Sequence, residues 1–202
     1  MNKYNAIGFD YAGVVYGEPS SVFDEGICKL LDISVNEFKI SYHKFSELFN
    51  KHSVSREELW KMVLKDLGKE SMTDKVFEYF KNLPESKINK EVLLLIQKLK
   101  LMGYKVGLFS NNSKSAAEEM REGGIDKYFD VFLVSAEAGC VKPSVEAFKM
   151  LAEKLGVGLS ELVFIDDTAN SLSLSGEIGF QPILFRNYDS LTQELTSLGV
   201  LN

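Results

Sequence analysis

The stretch FDYAGVVYG, Phe9 to Gly17, closes an apolar run that starts at Tyr4. The residues of that run do not alternate with polar ones, which is the pattern of a strand covered on both faces. A carboxylate, Asp10, stands at its tip. In open α/β sheets the space beyond the carboxyl ends of the strands is where chemistry collects. Four later runs share the pattern: Tyr104 to Phe109, Phe129 to Val134, Leu162 to Ile165 and Gln181 to Phe185. Helical segments alternate with them. Asn89 to Met102 places Val92, Leu95, Ile96 and Leu99 on one face, with Gly103 behind as a C-terminal cap. Ser144 to Leu155 repeats the design before Gly156, and Lys114 to Glu122, Ala169 to Glu177 and Ser190 to Leu198 also fit helices. The alternation predicts an α/β, Rossmann-like doubly wound parallel sheet.

The segment from Glu18 to Glu85 contains no strand-like run. It carries two capping-box patterns, SVNE at Ser34 to Glu37 and SREE at Ser55 to Glu58. Phe38, Tyr42, Phe45, Leu48 and Phe49 recur at helical spacing, and Trp60 lies on an apolar helix face. Three or four short helices are expected here, forming a cap over residues 17–86 inserted into a core of residues 1–16 and 87–202.

Composition narrows the function classes. The 202 residues carry a net charge of -6, which argues against a nucleic-acid-binding surface as the main role. No apolar run is long enough to span a bilayer, and the chain opens almost directly with a strand, without a signal-peptide core. A cytoplasmic protein, monomer or homodimer, with no membrane partner is expected. Cys28 and Cys140 are far apart in sequence and read as two buried free thiols.

The strand ends supply a short list of polar residues. The first offers Asp10; the second, in LFSNNS, offers Ser110, Asn111 and Asn112. Lys142 follows the third in GCVKPSVEAF, and the fourth, in FIDDTANS, ends in Asp166 and Asp167. Each alone has a structural explanation: a turn cap for Asp10, a helix start for Ser110 or Asn112, a solvated turn at Lys142, N-caps for the Asp pair. Their succession on consecutive strand ends outweighs those explanations.

In that order the motifs resemble the haloacid dehalogenase (HAD) superfamily of hydrolases, over the whole chain and with the helical cap inserted after the first motif. The resemblance implies a sheet of order 5-4-1-2-3. It implies Asp10 as nucleophile, Ser110 and Asn111 as phosphate holders, and Lys142 as the catalytic, phosphate-facing cation. It also implies a Mg²⁺ site from Asp10, the Ala12 backbone carbonyl, Asp166 and Asp167, with Asp167 the direct ligand of the pair, Asp166 a supporting acid and Asn170 a further polar residue. The roles are physically coherent. A carboxylate that attacks phosphorus divides one hard hydrolysis into two steps through an aspartyl-phosphate. Mg²⁺ takes oxygen ligands and screens the two anions from each other. Ser110, Asn111 and the next helix N-terminus offer donors to the phosphate. The expected substrate is a small phosphorylated metabolite.

Position 12 departs from the pattern. Phosphatases of the superfamily carry Asp two residues after the nucleophile, where it protonates the leaving alcohol. Ala12 keeps the carbonyl and lacks the acid, a loss of about 10²–10⁴-fold in rate if nothing replaces it. Glu18 and Tyr16 are the nearby groups that can stand in. Two branches also lack that Asp. The 2-haloacid dehalogenases carry an aromatic residue there and no metal-binding acid pair, so DDTAN argues against them. Phosphonoacetaldehyde hydrolases carry Ala and keep Mg²⁺, but need a cap lysine for a Schiff base and usually have Arg in place of Lys142. Lys29, Lys39, Lys44, Lys51 and Lys61 are available, each also readable as a solvated helix residue. A catalytically weak HAD-like binding protein is the non-enzymatic alternative; the retained nucleophile, lysine and acids speak against it. His43 and His52 read as solvated cap residues.

Overall fold

The computed structural model describes residues 3–50 and 54–201, the side chains of 47–50 excepted. The strands are β1 (Ala6–Phe9), β2 (Lys105–Ser110), β3 (Val131–Val134), β4 (Leu162–Asp166) and β5 (Gln181–Leu184). The helices are α1 (Ser20–Leu31), α2 (Val35–Asn50), α3 (Arg56–Asp66), α4 (Thr73–Lys81), α5 (Lys90–Leu101), α6 (Lys114–Glu122), α7 (Ser135–Ala138), α8 (Val145–Leu155), α9 (Ser175–Ile178) and α10 (Tyr188–Ser197). The chain divides into two compact units, Met1–Ser20 with Ser86–Asn202, and Ser21–Glu85. No described helix is long and apolar enough to cross a membrane.

The first unit is built on a sheet of order β3-β2-β1-β4-β5, every pairing parallel. Read from the other edge, this is the 5-4-1-2-3 order that the resemblance implies. Parallel strands need both faces covered, and the side-chain alternation shows how. Ile7, Phe9, Val106, Leu108, Val163 and Ile165 enter one buried cluster with α5, α6 and α10. Ala6, Phe109, Leu162 and Phe164 enter a second with Phe148, Leu151 and Leu155 of α8. Glycine lets α8 lie close: a Cβ on Gly107 would stand 2.8 Å from Leu151 Cδ1.

Helix boundaries follow local chemistry. Asn89 caps α5 by accepting from Val92 N–H, and Ser144 caps α8 by accepting from Ala147 N–H. Gly156 ends α8 in the left-handed region at φ 72°. One expectation is corrected. The helix read over Ala169–Glu177 is a run of turns through Leu174, followed by the short α9. Side chains offer the backbone other partners there: Ser173 Oγ donates to the Asn170 carbonyl at 2.7 Å, and the Thr168 N–H donates to Asp166 Oδ1 at 2.9 Å.

The second unit holds α1 to α4. Both capping boxes form, with Ser34 N–H on Glu37 Oε2 at 2.8 Å and Ser55 N–H on Glu58 Oε2 at 2.7 Å. Its own core surrounds Trp60, whose ring stands 4.8 Å from Phe80 and 5.8 Å, stacked, from Phe38. Tyr42 and Phe45 pack against that core. His43 is exposed; Lys51, His52 and the side chains of Leu48 and Phe49 lie outside the described residues. Cys28 is buried, whereas Cys140 is only partly so, short of the burial expected for both thiols.

Candidate active site

The acids and Ser110 arrive at the same sheet edge because each sits at the carboxyl end of a parallel strand, and Lys142 reaches them from a later turn. Asp10 follows β1, Ser110 ends β2, Asp166 ends β4 with Asp167 next, and Lys142 lies in the turn between α7 and α8. A cleft of about 390 Å³ is lined by Asp10, Ala12, Ser110, Asn111, Lys142 and Asp167, together with Gly13, Glu18, Ser20, Thr168 and Ser171.

The electrostatic centre is Lys142. Its side chain is 1% exposed, and its Nζ lies 2.5 Å from Asp166 Oδ2 and 3.0 Å from Asp10 Oδ1. Burial opposes the charge, but the two carboxylates outweigh it and hold the ammonium above its usual range. Asn111 steadies this lysine: its Nδ2 donates to the Lys142 carbonyl at 2.8 Å, and the Lys142 N–H donates back to Oδ1 at 2.9 Å. The Asn111 side-chain amide is thus engaged through both its nitrogen and its oxygen.

The carboxylates have distinct partners. Asp10 Oδ1 accepts from Tyr11 N–H at 2.7 Å and from Lys142, and no described group donates to Oδ2. Burial pushes the Asp10 carboxyl up to about 7; Asp166 and Asp167 add to the rise, and Lys142 opposes it. Asp166 is fully buried and saturated, with Oδ2 on Lys142 and Oδ1 on Thr168 N–H at 2.9 Å and Thr168 Oγ1 at 2.6 Å. Asp167 lines the cleft; its Oδ2 accepts from Ser20 N–H at 2.7 Å, and burial raises its pKa. Oxygens of the three acids lie within 4.8 Å of one another. Three carboxylates facing one lysine leave an excess of negative charge in a buried place, and an all-oxygen donor set suits a hard divalent cation. The residues therefore fit a metal ion.

Local backbone shapes the approach. Gly13 has φ 76°, and a Cβ on it would lie 2.3 Å from Asp167 Oδ2, so this position requires glycine. No described donor uses the Ala12 carbonyl, while the neighbouring Tyr11 carbonyl accepts from Val15 and Tyr16 N–H at 2.8 and 2.9 Å. Ser110 is buried at the cleft wall, and α6 begins only after Ser113, which caps it. Asn170 is exposed and outside the lining residues; Thr168 and Ser171, joined at 2.7 Å, occupy that wall instead. Ser20, Thr168 and Ser171 were not singled out by pattern. Thr168 did carry a signal, since a hydroxyl two residues after an Asp is placed to close a turn on it.

A family model described as haloacid dehalogenase-like hydrolase matches residues 4–173. Phosphatase MT3486 of Mycobacterium tuberculosis is 30% identical over 112 residues, 52% of this chain and 52% of its own length. Bifunctional epoxide hydrolase 2 of Sus scrofa is 30% identical over 122 residues, 57% of this chain and 22% of that one. The match thus spans about a fifth to a half of these relatives. Among solved structures, a HAD phosphatase from Thermococcus onnurineus has a TM-score of 0.58 at 19% identity, covering 100% of this chain and 99% of that one. A Had-superfamily hydrolase from Ehrlichia chaffeensis has a TM-score of 0.57 at 19% identity, covering 98% of each. At that identity the likeness is one of fold. Family match, sheet order and the acid cluster at one sheet edge agree, and the chain belongs to the haloacid dehalogenase-like hydrolases.

Proposed function

We propose that this chain is a Mg²⁺-dependent phosphatase that acts on a small phosphorylated metabolite with Asp10 as its nucleophile. One observation carries the reading: Asp10, Asp166 and Asp167 cluster in a buried place with Lys142 as their ion-pair partner. A halide leaving group needs no cation, so a dehalogenase has no use for that many buried acids. The mycobacterial relative named a phosphatase supports the same choice. The Schiff-base alternative finds little support, since Lys39, Lys44 and Lys61 are paired with Asp24, Asp66 and Glu57.

Asp10, Asp167 and the Ala12 carbonyl would hold Mg²⁺, with Asp166 behind them. When bound, the ion neutralises the phosphate and lets an anionic nucleophile approach it. The protein's own groups do the rest. Asp10 attacks phosphorus and becomes an aspartyl-phosphate, and water then releases phosphate and restores the carboxylate. Lys142 offsets charge on Asp10 and on the phosphoryl oxygens, and the Ser110 hydroxyl donates to one of those oxygens. The test is phosphate release from p-nitrophenyl phosphate by wild type and Asp10→Asn, with and without Mg²⁺. Activity that requires both metal and carboxylate is expected; equal rates in the four conditions would refute the reading.

A further inference from the structure

The hydrolysis of a phosphate ester has a need that the groups assigned so far do not meet. The departing oxygen must acquire a proton, and the attacking water must lose one. The titratable side chains lining the cleft are Asp10, Glu18, Lys142 and Asp167. Asp10 is to carry the phosphoryl group. Lys142 is locked between Asp10 and Asp166, and Asp167 is held by Ser20 N–H. Among these groups Glu18 alone has a carboxylate with no hydrogen bond or ion pair to a described residue.

Its backbone is nevertheless well fixed. Gly17 N–H donates to the Lys87 carbonyl at 2.8 Å on one side, and Ser20 N–H donates to Asp167 on the other. Pro19 between them is buried and has a restricted φ. The turn before it folds back, with Gly13 N–H on the Tyr16 carbonyl at 2.8 Å, which returns the chain to the side of Ala12. Tyr16, the other nearby candidate, stacks on Tyr11 at 5.4 Å with its ring 1° from parallel and is outside the lining residues.

Resting on the phosphatase reading above, we infer that Glu18 is the proton donor and acceptor of this site. In the first step an Asp10 oxygen bonds to phosphorus, the bond from phosphorus to the leaving oxygen breaks, and the Glu18 carboxyl gives its proton to that oxygen. In the second, water bonds to phosphorus, the Asp10–phosphorus bond breaks, and Glu18 takes a proton from the water. The cycle consumes one water and returns both carboxyl groups to their starting states.

The experiment compares phenyl phosphate with p-nitrophenyl phosphate, esters of similar shape whose leaving groups differ widely in basicity. Wild type, Glu18→Gln, Asp10→Asn, Ala12→Asp and the double variant Glu18→Gln/Ala12→Asp are assayed with Mg²⁺. Glu18 is exposed, so its substitution should leave the melting temperature unchanged. Glu18→Gln is expected to lower kcat for phenyl phosphate by about 10²-fold or more and for p-nitrophenyl phosphate much less. In the Ala12→Asp background the same substitution should cost far less, because a second carboxyl lines the same cleft. Equal losses for both esters, or a change in KM alone, would overturn the assignment while leaving the phosphatase reading intact. Absence of Asp10-dependent phosphate release by the wild type would overturn both.

Discussion

Replacing Lys142 with Met tests the electrostatic reasoning, because the structure makes one cation answer for two buried acids. Asp166 is fully buried, and Asp10 is 9% exposed. Lys142→Met keeps much of the side chain's bulk but leaves both carboxylates without their ion-pair partner. Breaking a buried pair by removing one member costs about 3–5 kcal/mol, mainly from the charge left behind. For a chain of this length 1 kcal/mol moves the melting temperature by about 2–4 °C, so a drop of about 6–20 °C is expected at pH 8 without divalent ions. The sign of the pH effect follows from the direction of the Asp10 shift. Its carboxyl is raised from 3.8 to about 7, so its ionised form disfavours the fold, and that penalty grows as pH rises between those values. Lys142 works the other way, since its raised pKa means its support is complete below the ordinary lysine value and is lost only above it. The deficit of Lys142→Met should therefore shrink at pH 5.5, where Asp10 takes a proton. Adding Asp166→Asn should recover part of it. Thermal melts of wild type, single and double variants at both pH values decide the matter. A loss that ignores pH and is untouched by Asp166→Asn would refute the argument.

Other consequences are equally open to measurement. In the Glu18→Gln background Ala12→Asp should raise hydrolysis of alkyl phosphates by about 10²-fold or more and of p-nitrophenyl phosphate less, read as kcat on both esters, with a smaller gain where Glu18 is intact. Gly13→Ala forces a left-handed alanine, at about 1–2 kcal/mol, and drives a methyl into Asp167; calorimetric titration should show weakened Mg²⁺ binding. Mg²⁺ should raise the melting temperature more at pH 8 than at pH 5.5, because protons compete for Asp10, and Asp10→Asn should diminish that rise.

Most of the core was legible because its signals are local. Caps at Asn89 and Ser144, glycines at 103 and 156, and unbroken apolar runs each state one boundary in a few residues. The strand-end residues were legible as a set, since parallel strands carry them to one edge. What escaped was set by tertiary contact. Nothing in sequence tells that the Asn111 amide closes on the Lys142 backbone 31 residues away. Nor does it tell that Ser20 N–H meets Asp167, 147 residues on. The stretch after Asp167 has apolar residues at helical spacing, Ala169 with Leu172 and Leu174 with Ile178, but its hydroxyls capture backbone groups first. Asn170 was placed by motif position, and the turns that replaced the helix left it exposed while bringing Thr168 and Ser171 to the cleft.

The central claim is that Asp10 itself carries the phosphoryl group. The most direct measurement incubates the protein with Mg²⁺ and acetyl phosphate, quenches in acid, and maps the peptides by mass spectrometry. The account predicts a phosphoryl adduct on Asp10 that hydroxylamine removes and that Asp10→Asn lacks. Phosphate release by the wild type with no adduct on Asp10, or with undiminished release by Asp10→Asn, would contradict it.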